Sequence, residues 1–240
     1  MGIQDASGRN IHVIDHFDDQ ASVWASKYDP DGRMGFRVGQ FLGLVEATCT
    51  GHARGIDLGC GTGNLAAALS RAGFPMVGVD ISEKMVDQAV RRYGDDDGLR
   101  FQHINRDQAL VDLPEIEPGR VDFVTASSVL EYVGDVGGLA RNVRTVLHGS
   151  GVFLLTVPSV KNRRRRVEGY IRNTSAIRSI FLVVGRLLGG RWRRYVEYLC
   201  LSKNRWSVEG WQRVIEPAGF VLSRVVGEDE DLVVLVFDAR

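Results

Sequence analysis

A glycine-rich turn is the part of the sequence whose residue types and spacing point most directly to chemistry. The stretch Gly55–Asn64 reads GIDLGCGTGN and carries three closely spaced glycines between an apolar run and a helical pattern. Glycine lets a backbone turn sharply and lie against a ligand. A dinucleotide fingerprint needs a further glycine where Asn64 stands, and the sequence has no Gly-Lys-Ser/Thr of a phosphate-binding loop. A ligand anchored by its phosphates is therefore disfavoured.

Acidic residues follow the next two predicted strands. Asp80 ends one of them, nineteen residues after Gly61, where a carboxylate can accept both hydroxyl groups of a ribose. Asp107 follows the next strand with Gln108 beside it, in position to meet the exocyclic amine of adenine. Together with the glycine turn, these residues predict a ligand that contains adenosine but needs no pyrophosphate.

Alternating strand and helix patterns position these residues. The predicted strands are Gly55–Leu58, Met76–Val79, Leu99–Ile104, Val121–Ala126, Val152–Val157, Phe220–Val226 and Leu232–Asp238. The predicted helices are Asn64–Ala72, Glu83–Tyr93 with Ser82 as its N-cap, Gly137–Leu147, and one that Ser207 caps and that runs through Ile215, with Ser22–Tyr28 and Phe36–Ala47 before the first strand. Unbroken apolar strands suit a parallel sheet covered on both faces, and the last two strands are close enough to form a hairpin. The sequence predicts an α/β, Rossmann-like doubly wound seven-stranded sheet with an antiparallel terminal hairpin.

Composition bounds the class of protein. The 240 residues are 44% hydrophobic and 25% charged, which suffices for a full core and excludes disordered, collagen-like and coiled-coil chains. Cys49, Cys60 and Cys200 are too few and too scattered for a disulfide framework or a zinc cluster. The polar N-terminus has no signal-peptide pattern, and the longest apolar run, Ile180–Val184, is far too short to span a membrane. We expect a cytoplasmic protein.

Several motifs together resemble the class I S-adenosylmethionine-dependent methyltransferases. They are the glycine turn, Val79–Ser82 (VDIS), Asp107 and Val121–Val133 (VDFVTASSVLEYV), and the similarity continues in Ser207–Phe220. Within that superfamily the sequence is similar to small-molecule enzymes of the ubiquinone-biosynthesis and Mg-protoporphyrin type. The resemblance implies S-adenosylmethionine as the cofactor and methyl transfer to a small or lipid-like acceptor, with O-methylation favoured. A cofactor-binding regulator without transfer activity and an RNA methyltransferase are the alternatives.

The resemblance also implies a division of the chain. His16–Asp29 (HFDDQASVWASKYD) resembles the segment that closes over the cofactor in those enzymes. It implies an N-terminal helical lid over 1–50 and a methyltransferase domain over 51–240, with a substrate-cap insertion over 158–206 after the fifth strand.

The resemblance assigns cofactor contacts residue by residue. Those around the methionine moiety are Tyr28, Arg37, Asp57, Gly59, Cys60, Gly61 and Ser127. Those around the adenosine are Asp80, Ile81, Asp107 and Gln108. Arg37 is implied to pair with the methionine carboxylate. Tyr28 and Trp24 are implied to lie near the sulfonium or to cover the cofactor, with an ordinary apolar helix face as the alternative for these two aromatic residues.

The acceptor is expected over the carboxyl ends of the fourth and fifth strands. The acceptor-side candidates are Glu131, Tyr132 and Ser159, together with His12 and His16 from the N-terminal lid. Glu131 is the first candidate for a base or an orienting group, with helix capping or salt bridging as the alternative. Some ubiquinone-pathway relatives hold a divalent metal with Glu-x-x-Glu-His at this point. Ser128–Tyr132 reads SVLEY and lacks two of the three ligands, so no metal is expected.

Charge is unevenly distributed along the chain. Residues 161–205 carry thirteen basic side chains and two acidic ones, Glu168 and Glu197, within a chain of 30 basic and 30 acidic residues. One explanation is a solvated insertion whose arginines pair with the acidic remainder of the chain. The other is a partner: a small anionic or hydrophobic substrate under a cap, which we favour, with peripheral membrane contact as a compatible addition. Nucleic acid ranks third, because the rest of the chain is acidic.

Overall fold

The computed structural model describes residues 3–4, 10–11, 13–28, 34–106, 108–173 and 190–240. The strands are β1 (Ile3–Gln4), β2 (Asn10–Ile11), β3 (Gly55–Leu58), β4 (Met76–Asp80), β5 (Leu99–His103), β6 (Val121–Ser127), β7 (Leu147–Pro158), β8 (Phe220–Val226) and β9 (Leu232–Ala239). The helices are α1 (Val13–Asp18), α2 (Ala21–Trp24), α3 (Gly35–Thr48), α4 (Asn64–Arg71), α5 (Glu83–Tyr93), α6 (Val136–Val146), α7 (Arg163–Asn173), α8 (Gly190–Leu201) and α9 (Val208–Ile215).

Seven strands form one mixed sheet in the order β5-β4-β3-β6-β7-β9-β8. The first five strands of this order, β5-β4-β3-β6-β7, are parallel to one another. Strand β9 runs antiparallel to both β7 and β8. The prediction of a doubly wound seven-stranded sheet with an antiparallel terminal hairpin is thereby confirmed. The order reverses between β3 and β6, and in such sheets the crevice at the carboxyl ends of the strands at that point binds ligands.

Each face of the sheet is covered by helices. On one face α6 and α9 bury Val143 and Trp211 against the strands, and on the other α3 and α4 bury Phe41 and Leu69. Burial on both faces explains why the central strands are continuously apolar. None of the helices in the described ranges is both long and apolar enough to cross a bilayer.

Several boundaries differ from the sequence prediction by one residue, and the start of β7 differs by five, because the strand was predicted to begin at Val152 and begins at Leu147. Leu147 was predicted to end a helix, but the helix α6 stops at Val146 and Leu147 begins β7. Leu147 is opposite Val121 of β6, and an irregularity in that ladder separates this pair from the regular register that starts at Phe123. Pairing with a neighbouring strand therefore overrides the helical apolar pattern at this residue.

The N-terminal segment (Val13–Tyr28) consists of α1, α2 and a 3-10 turn. It packs through α1 against α5 and α8, and through α2 against α5. It thus connects the sheet domain to the basic insertion (158–206). Residues 174–189 of this insertion lie outside the described residues, and α8 begins at Gly190.

Candidate functional site

The glycine turn connects β3 to α4 at the carboxyl edge of the sheet. Gly59, Gly61 and Gly63 all have left-handed φ angles. A Cβ at Gly59 would lie 2.4 Å from Val129, and one at Gly63 would lie 2.6 Å from Phe101, so both glycines are required by packing inside the protein. A Cβ at Gly61 would instead lie 3.2 Å from the indole nitrogen of Trp24. Only Gly61 therefore faces the side covered by the N-terminal segment.

Asp80 fixes this turn at the end of β4. Its Oδ2 accepts a hydrogen bond from the backbone N–H of Gly61 at 2.8 Å, and its Oδ1 accepts one from the N–H of Ser82 at 2.8 Å. Desolvation by burial raises the pKa of this carboxyl. An ionised carboxylate has about four lone-pair sites, so Asp80 keeps acceptor capacity for the hydroxyl groups of a ribose. The turn and the carboxylate beside it fit an adenosine-containing cofactor.

Asp57 lies beneath the turn, on β3. Its carboxylate is buried and accepts a hydrogen bond from the Thr125 hydroxyl at 2.8 Å. Burial raises the pKa of Asp57 to about 7, and the nearby charge of Asp80 adds to this rise, while the Thr125 bond and the N–H of Ala66 oppose it. Asp57 thus links β3 to β6 and to the start of α4. Its contact with the methionine moiety of the cofactor stays a prediction.

Tyr28 and Arg37 reach the same edge from the N-terminal side. Burial raises the pKa of Tyr28 to about 12, against the opposing charge of Arg37, and the phenol lies beside Ser127 and near Asp57. Arg37 Nη1 donates to the hydroxyl of Ser128 at 3.2 Å. The structure therefore brings together four of the residues predicted to surround the methionine moiety.

Ser128 also lies at this edge, although it was not predicted to be a site residue. It has a left-handed φ of 57° although it is not glycine, and its N–H donates to the Thr156 hydroxyl at 3.0 Å. Backbone in this region costs energy and recurs at functional sites. No local sequence signal reveals it, because the conformation depends on Thr156 of the neighbouring strand.

The remaining predicted cofactor residues are also located. Cys60 is buried, and desolvation raises the pKa of its thiol well above the usual value, so the thiol is neutral. Ile81 packs against the core. The side-chain carbonyl of Gln108 accepts a hydrogen bond from the N–H of Asn105 at 3.2 Å. Asp107 lies outside the described residues.

The acceptor-side turn (Leu130–Tyr132) follows β6 as one turn of 3-10 helix. Glu131 is buried there. The ring of Tyr132 meets Phe17 edge-on at 5.3 Å and Tyr198 at 6.4 Å between centroids. Burial, followed by the charge of Glu131, raises the pKa of Tyr132 well above its usual value, so its phenol stays protonated and can donate a hydrogen bond.

His16 lies next to this turn within a polar network. Its Nε2 accepts from the side-chain amide of Gln20 at 2.9 Å, and its Nδ1 donates to Glu197 at 3.3 Å. Gln20 Oε1 accepts from Lys27 at 3.0 Å, which is consistent with this orientation of the amide. The Glu197 carboxylate also accepts from Arg193 at 2.8 Å. Both ring nitrogens of His16 are therefore engaged, and its catalytic role stays a prediction.

Two further acceptor-side candidates have different outcomes. The Ser159 hydroxyl donates to the carbonyl of Glu228, so it fastens the loop before β9. His12 lies outside the described residues. Phe17, Tyr198 and Glu197 were not predicted to be site residues, although Glu197 stands out in the sequence as one of two acidic residues in the basic stretch.

The expectation of no metal stays a prediction. Within the described ranges, no group of three or more His, Cys, Asp or Glu side chains is arranged to hold an ion. Glu131, the one acidic residue of Ser128–Tyr132, is buried beside Tyr132.

Comparisons with known proteins agree with this geometry. A family model described as "Methyltransferase domain" matches residues 37–220. Ubiquinone biosynthesis O-methyltransferase from Methylococcus capsulatus is 30% identical over 155 residues, which cover 62% of this chain and 63% of that protein. The protein of the same name from Bordetella avium is 31% identical over 160 residues, covering 63% of this chain and 65% of that protein. The chain thus matches less than two thirds of the length of these curated relatives.

Solved structures share the fold at low sequence identity. Magnesium protoporphyrin IX methyltransferase from Synechocystis PCC 6803, solved with bound S-adenosylhomocysteine, superposes with a TM-score of 0.63 at 18% identity, covering 95% of this chain and 98% of that one.

Proposed function

Because the chain belongs to the class I S-adenosylmethionine-dependent methyltransferases, we propose that it transfers a methyl group to an oxygen atom of a small-molecule or lipid-like acceptor. The observation that carries the proposal is the position of the acceptor-side turn. Glu131 and Tyr132 lie on the same sheet edge as the glycine turn held by Asp80, since β6 pairs directly with β3. The names of the ubiquinone biosynthesis O-methyltransferases support oxygen as the accepting atom.

S-adenosylmethionine is the cofactor, and when bound it supplies an activated methyl group on a sulfonium. The residues that would hold it are Asp80 at the ribose, Arg37 at the carboxylate, and Asp57, Tyr28 and Ser127 around the methionine moiety. Since the methyl group is already activated, the protein's main tasks are to align the acceptor in line with the transferred carbon and to exclude water. Trp24 over Gly61 and Phe17 against Tyr132 are positioned for the second task.

A hydroxyl acceptor must lose a proton during transfer. Glu131 is our candidate for the base or for the group that orients the acceptor hydroxyl. Tyr132 is a hydrogen-bond donor in this proposal, since its raised pKa keeps the phenol protonated. His16 is a positioning residue in this proposal, because its bond to Glu197 docks the N-terminal segment.

The division into a lid over 1–50 and a substrate cap over 158–206 is part of this proposal. The contacts of α1 with both α5 and α8 support it, because they join the two regions above the sheet edge. Peripheral membrane contact through 161–205 and an anionic acceptor extend the proposal and are not required for methyl transfer.

The proposal is tested by incubating the purified full chain with S-adenosylmethionine carrying a radiolabelled methyl group. A metabolite extract, a total lipid extract and RNA are offered separately. We expect label in the metabolite or lipid fraction, with a rate that falls about 100-fold or more in Glu131→Gln, the size of effect typical of general acid–base groups. Glu46→Gln, an exposed carboxylate on α3, is the matched control and should keep the full rate.

Three results would contradict parts of the proposal. Label in RNA alone would overturn the small-molecule acceptor. Binding of S-adenosylhomocysteine without any transfer would indicate a cofactor-binding regulator. Full activity in Glu131→Gln would remove Glu131 from the mechanism while leaving the reaction itself in place.

A further inference from the structure

Arg205 lies directly after the two residues that attach the basic insertion to the acceptor-side turn. The backbone N–H groups of Lys203 and Asn204 donate to the carbonyl of Glu131 at 2.6 and 3.0 Å. The side-chain amide of Asn204 donates to the carbonyls of Leu130 and Val133 at 2.8 and 2.7 Å. The chain between α8 and α9 is thus fixed against the turn that carries Glu131 and Tyr132. Arg205 is the next residue.

The guanidinium of Arg205 forms a buried ion pair with Glu168 of α7. Its Nη1 lies 2.7 Å from the Glu168 carboxylate, and the two side chains are 4% and 2% exposed. Its Nε donates to the Ser202 hydroxyl at 3.2 Å. Glu168 also accepts from the Tyr195 hydroxyl at 2.9 Å, so the negative charge of Glu168 is shared between Arg205 and a second donor.

One nitrogen of this guanidinium is not used. Nη2 of Arg205 is buried and has no hydrogen-bond acceptor in the part of the chain that the structure describes. Both of its N–H groups are therefore unsatisfied, and a buried donor without an acceptor destabilises the folded chain. Buried polar groups in native proteins nearly always have partners, and an exception calls for an explanation such as a missing ligand.

The aromatic neighbours of Arg205 belong to the acceptor side. Its guanidinium carbon is 5.4 Å from the centre of the Tyr198 ring, and Tyr198 in turn meets Tyr132. The charge of Arg205 also acts on the Tyr132 phenol, where it opposes the rise in pKa caused by burial. Arg205 is therefore close to the turn over which the acceptor is expected, on the side of α8.

We propose that Nη2 of Arg205 orients the methyl acceptor by donating hydrogen bonds to a carboxylate group of that molecule. This inference rests on the proposed function, because it assigns a contact to the acceptor of that reaction. A carboxylate suits an arginine because charge-assisted hydrogen bonds are roughly twice as strong as neutral ones. Neighbouring Tyr132 and Tyr198 favour an acceptor whose carboxylate is attached to an aromatic ring.

Calorimetric titration of the full chain, saturated with S-adenosylhomocysteine, tests the contact without requiring turnover. The two probes are 3,4-dihydroxybenzoate and catechol, which differ only in the carboxylate. We expect the wild type to bind 3,4-dihydroxybenzoate at least tenfold more tightly. Arg205→Lys keeps a positive charge next to Glu168 but lacks the second terminal nitrogen, and its preference should fall below threefold. Arg213→Lys, an exposed arginine of α9, should keep the preference.

A second variant keeps the test valid if Arg205→Lys does not fold. Arg205→Gln combined with Glu168→Gln removes both buried charges together, which avoids leaving either one unpaired. It should bind the two probes equally while its affinity for S-adenosylhomocysteine stays within twofold of the wild type. A merely structural role of Arg205 would not change the ratio of the two probe affinities.

The outcomes separate this inference from the proposed function. Equal binding of the probes by the wild type, binding of neither probe, or an unchanged preference in both Arg205 variants would overturn the role of Arg205. If the wild type methylates an extract component but binds the two probes equally, only the role of Arg205 is overturned and the proposed reaction stands. A wild type that prefers 3,4-dihydroxybenzoate yet transfers no methyl group to any acceptor keeps the contact and loses the proposed reaction.

Discussion

The cofactor turn and the acceptor side of this molecule are built in different ways. The cofactor turn is one continuous stretch, Gly59–Gly63, whose shape is fixed by glycine backbone and by the carboxylate of Asp80 on the next strand. The proposed acceptor side is assembled from side chains of three distant segments: Phe17, Tyr132 and Tyr198. A site made of backbone can be recognised from a short local motif, whereas a site made of side chains requires the whole fold.

The two regions also differ in charge. Beneath the glycine turn, burial raises the pKa of both Asp57 and Asp80, and the charge of Asp80 adds to the rise for Asp57. Around Tyr132, the charges of Arg205 and Arg37 favour an ionised phenol against burial. The glycine turn is therefore bordered by buried acidic groups, whereas the surroundings of Tyr132 include two arginines.

The largest expected effect concerns the buried carboxyl of Asp57. Its pKa is raised from 3.8 to about 7 in the folded chain, chiefly by desolvation. Because the folded state favours the neutral form, the associated stability is full below pH 4 and is lost as the pH rises to about 7. Asp57→Asn keeps the shape but cannot ionise. Measured by urea unfolding, the wild type should lose on the order of 4 kcal/mol relative to Asp57→Asn between pH 4 and 8, at 1.36 kcal/mol per pH unit.

An exposed carboxylate provides the control for that comparison. Asp87→Asn on α5 makes the same chemical change at an exposed position, outside the buried setting of Asp57. A wild type and Asp57→Asn variant that keep a constant difference in unfolding free energy from pH 4 to 8 would show that Asp57 is not a buried titrating group.

The next effect in size tests the carboxylate of Asp80. Asp80→Ala removes the acceptor for the N–H groups of Gly61 and Ser82 and for the proposed ribose hydroxyls. Hydrogen bonds to a charged group contribute roughly 1.5–3 kcal/mol each, so affinity for S-adenosylhomocysteine should fall about 100-fold. Calorimetric titration measures this loss directly.

Asp122 is a matched control for Asp80. Its carboxylate also accepts a hydrogen bond from a backbone N–H, that of Arg54 at 2.7 Å, but at the opposite, amino-terminal edge of the sheet. Asp122→Ala should lower the melting temperature and leave the affinity for S-adenosylhomocysteine within twofold. If Asp80→Ala binds as tightly as the wild type, the cofactor turn does not depend on this carboxylate.

Local rules could predict much of the fold. The strand Gly55–Leu58 and the helix Glu83–Tyr93 have the predicted bounds, because a glycine turn ends the first and an N-cap begins the second. The Ser82 hydroxyl accepts from the N–H of Met85 at 3.1 Å, and the Ser207 hydroxyl accepts from Gly210 in the same way. Each of these features depends on residues within a few positions of one another, so it can be predicted from a short stretch of sequence.

Features that depend on distant partners could not be predicted. The Leu147 boundary depends on pairing with β6, and the left-handed backbone of Ser128 depends on a strand 28 residues away. His16 was predicted to reach the acceptor side, but its partner Glu197 is 181 residues distant. Both acidic residues of the basic stretch bind side chains that are distant in sequence. Glu168 pairs with Arg205 and Glu197 with His16, which composition alone could not reveal.

The smallest expected effect concerns the docking of the N-terminal segment, which covers the proposed acceptor side and is weakened without changing the glycine turn. Glu197→Gln keeps the size of the side chain but removes the charge that pairs with His16 and Arg193, and the bond to His16 lowers the pKa of Glu197 in the wild type. Partly exposed pairs of this kind contribute about 1 kcal/mol or less. Amide hydrogen exchange across Val13–Tyr28 should therefore accelerate up to about fivefold, while β3 and β4 exchange as before. Glu46→Gln, an exposed substitution on α3, should change neither region. Equal acceleration in the strands would mean that Glu197 stabilises the whole domain, and unchanged exchange in Val13–Tyr28 would mean that the aromatic contacts of Phe17 suffice to dock the segment.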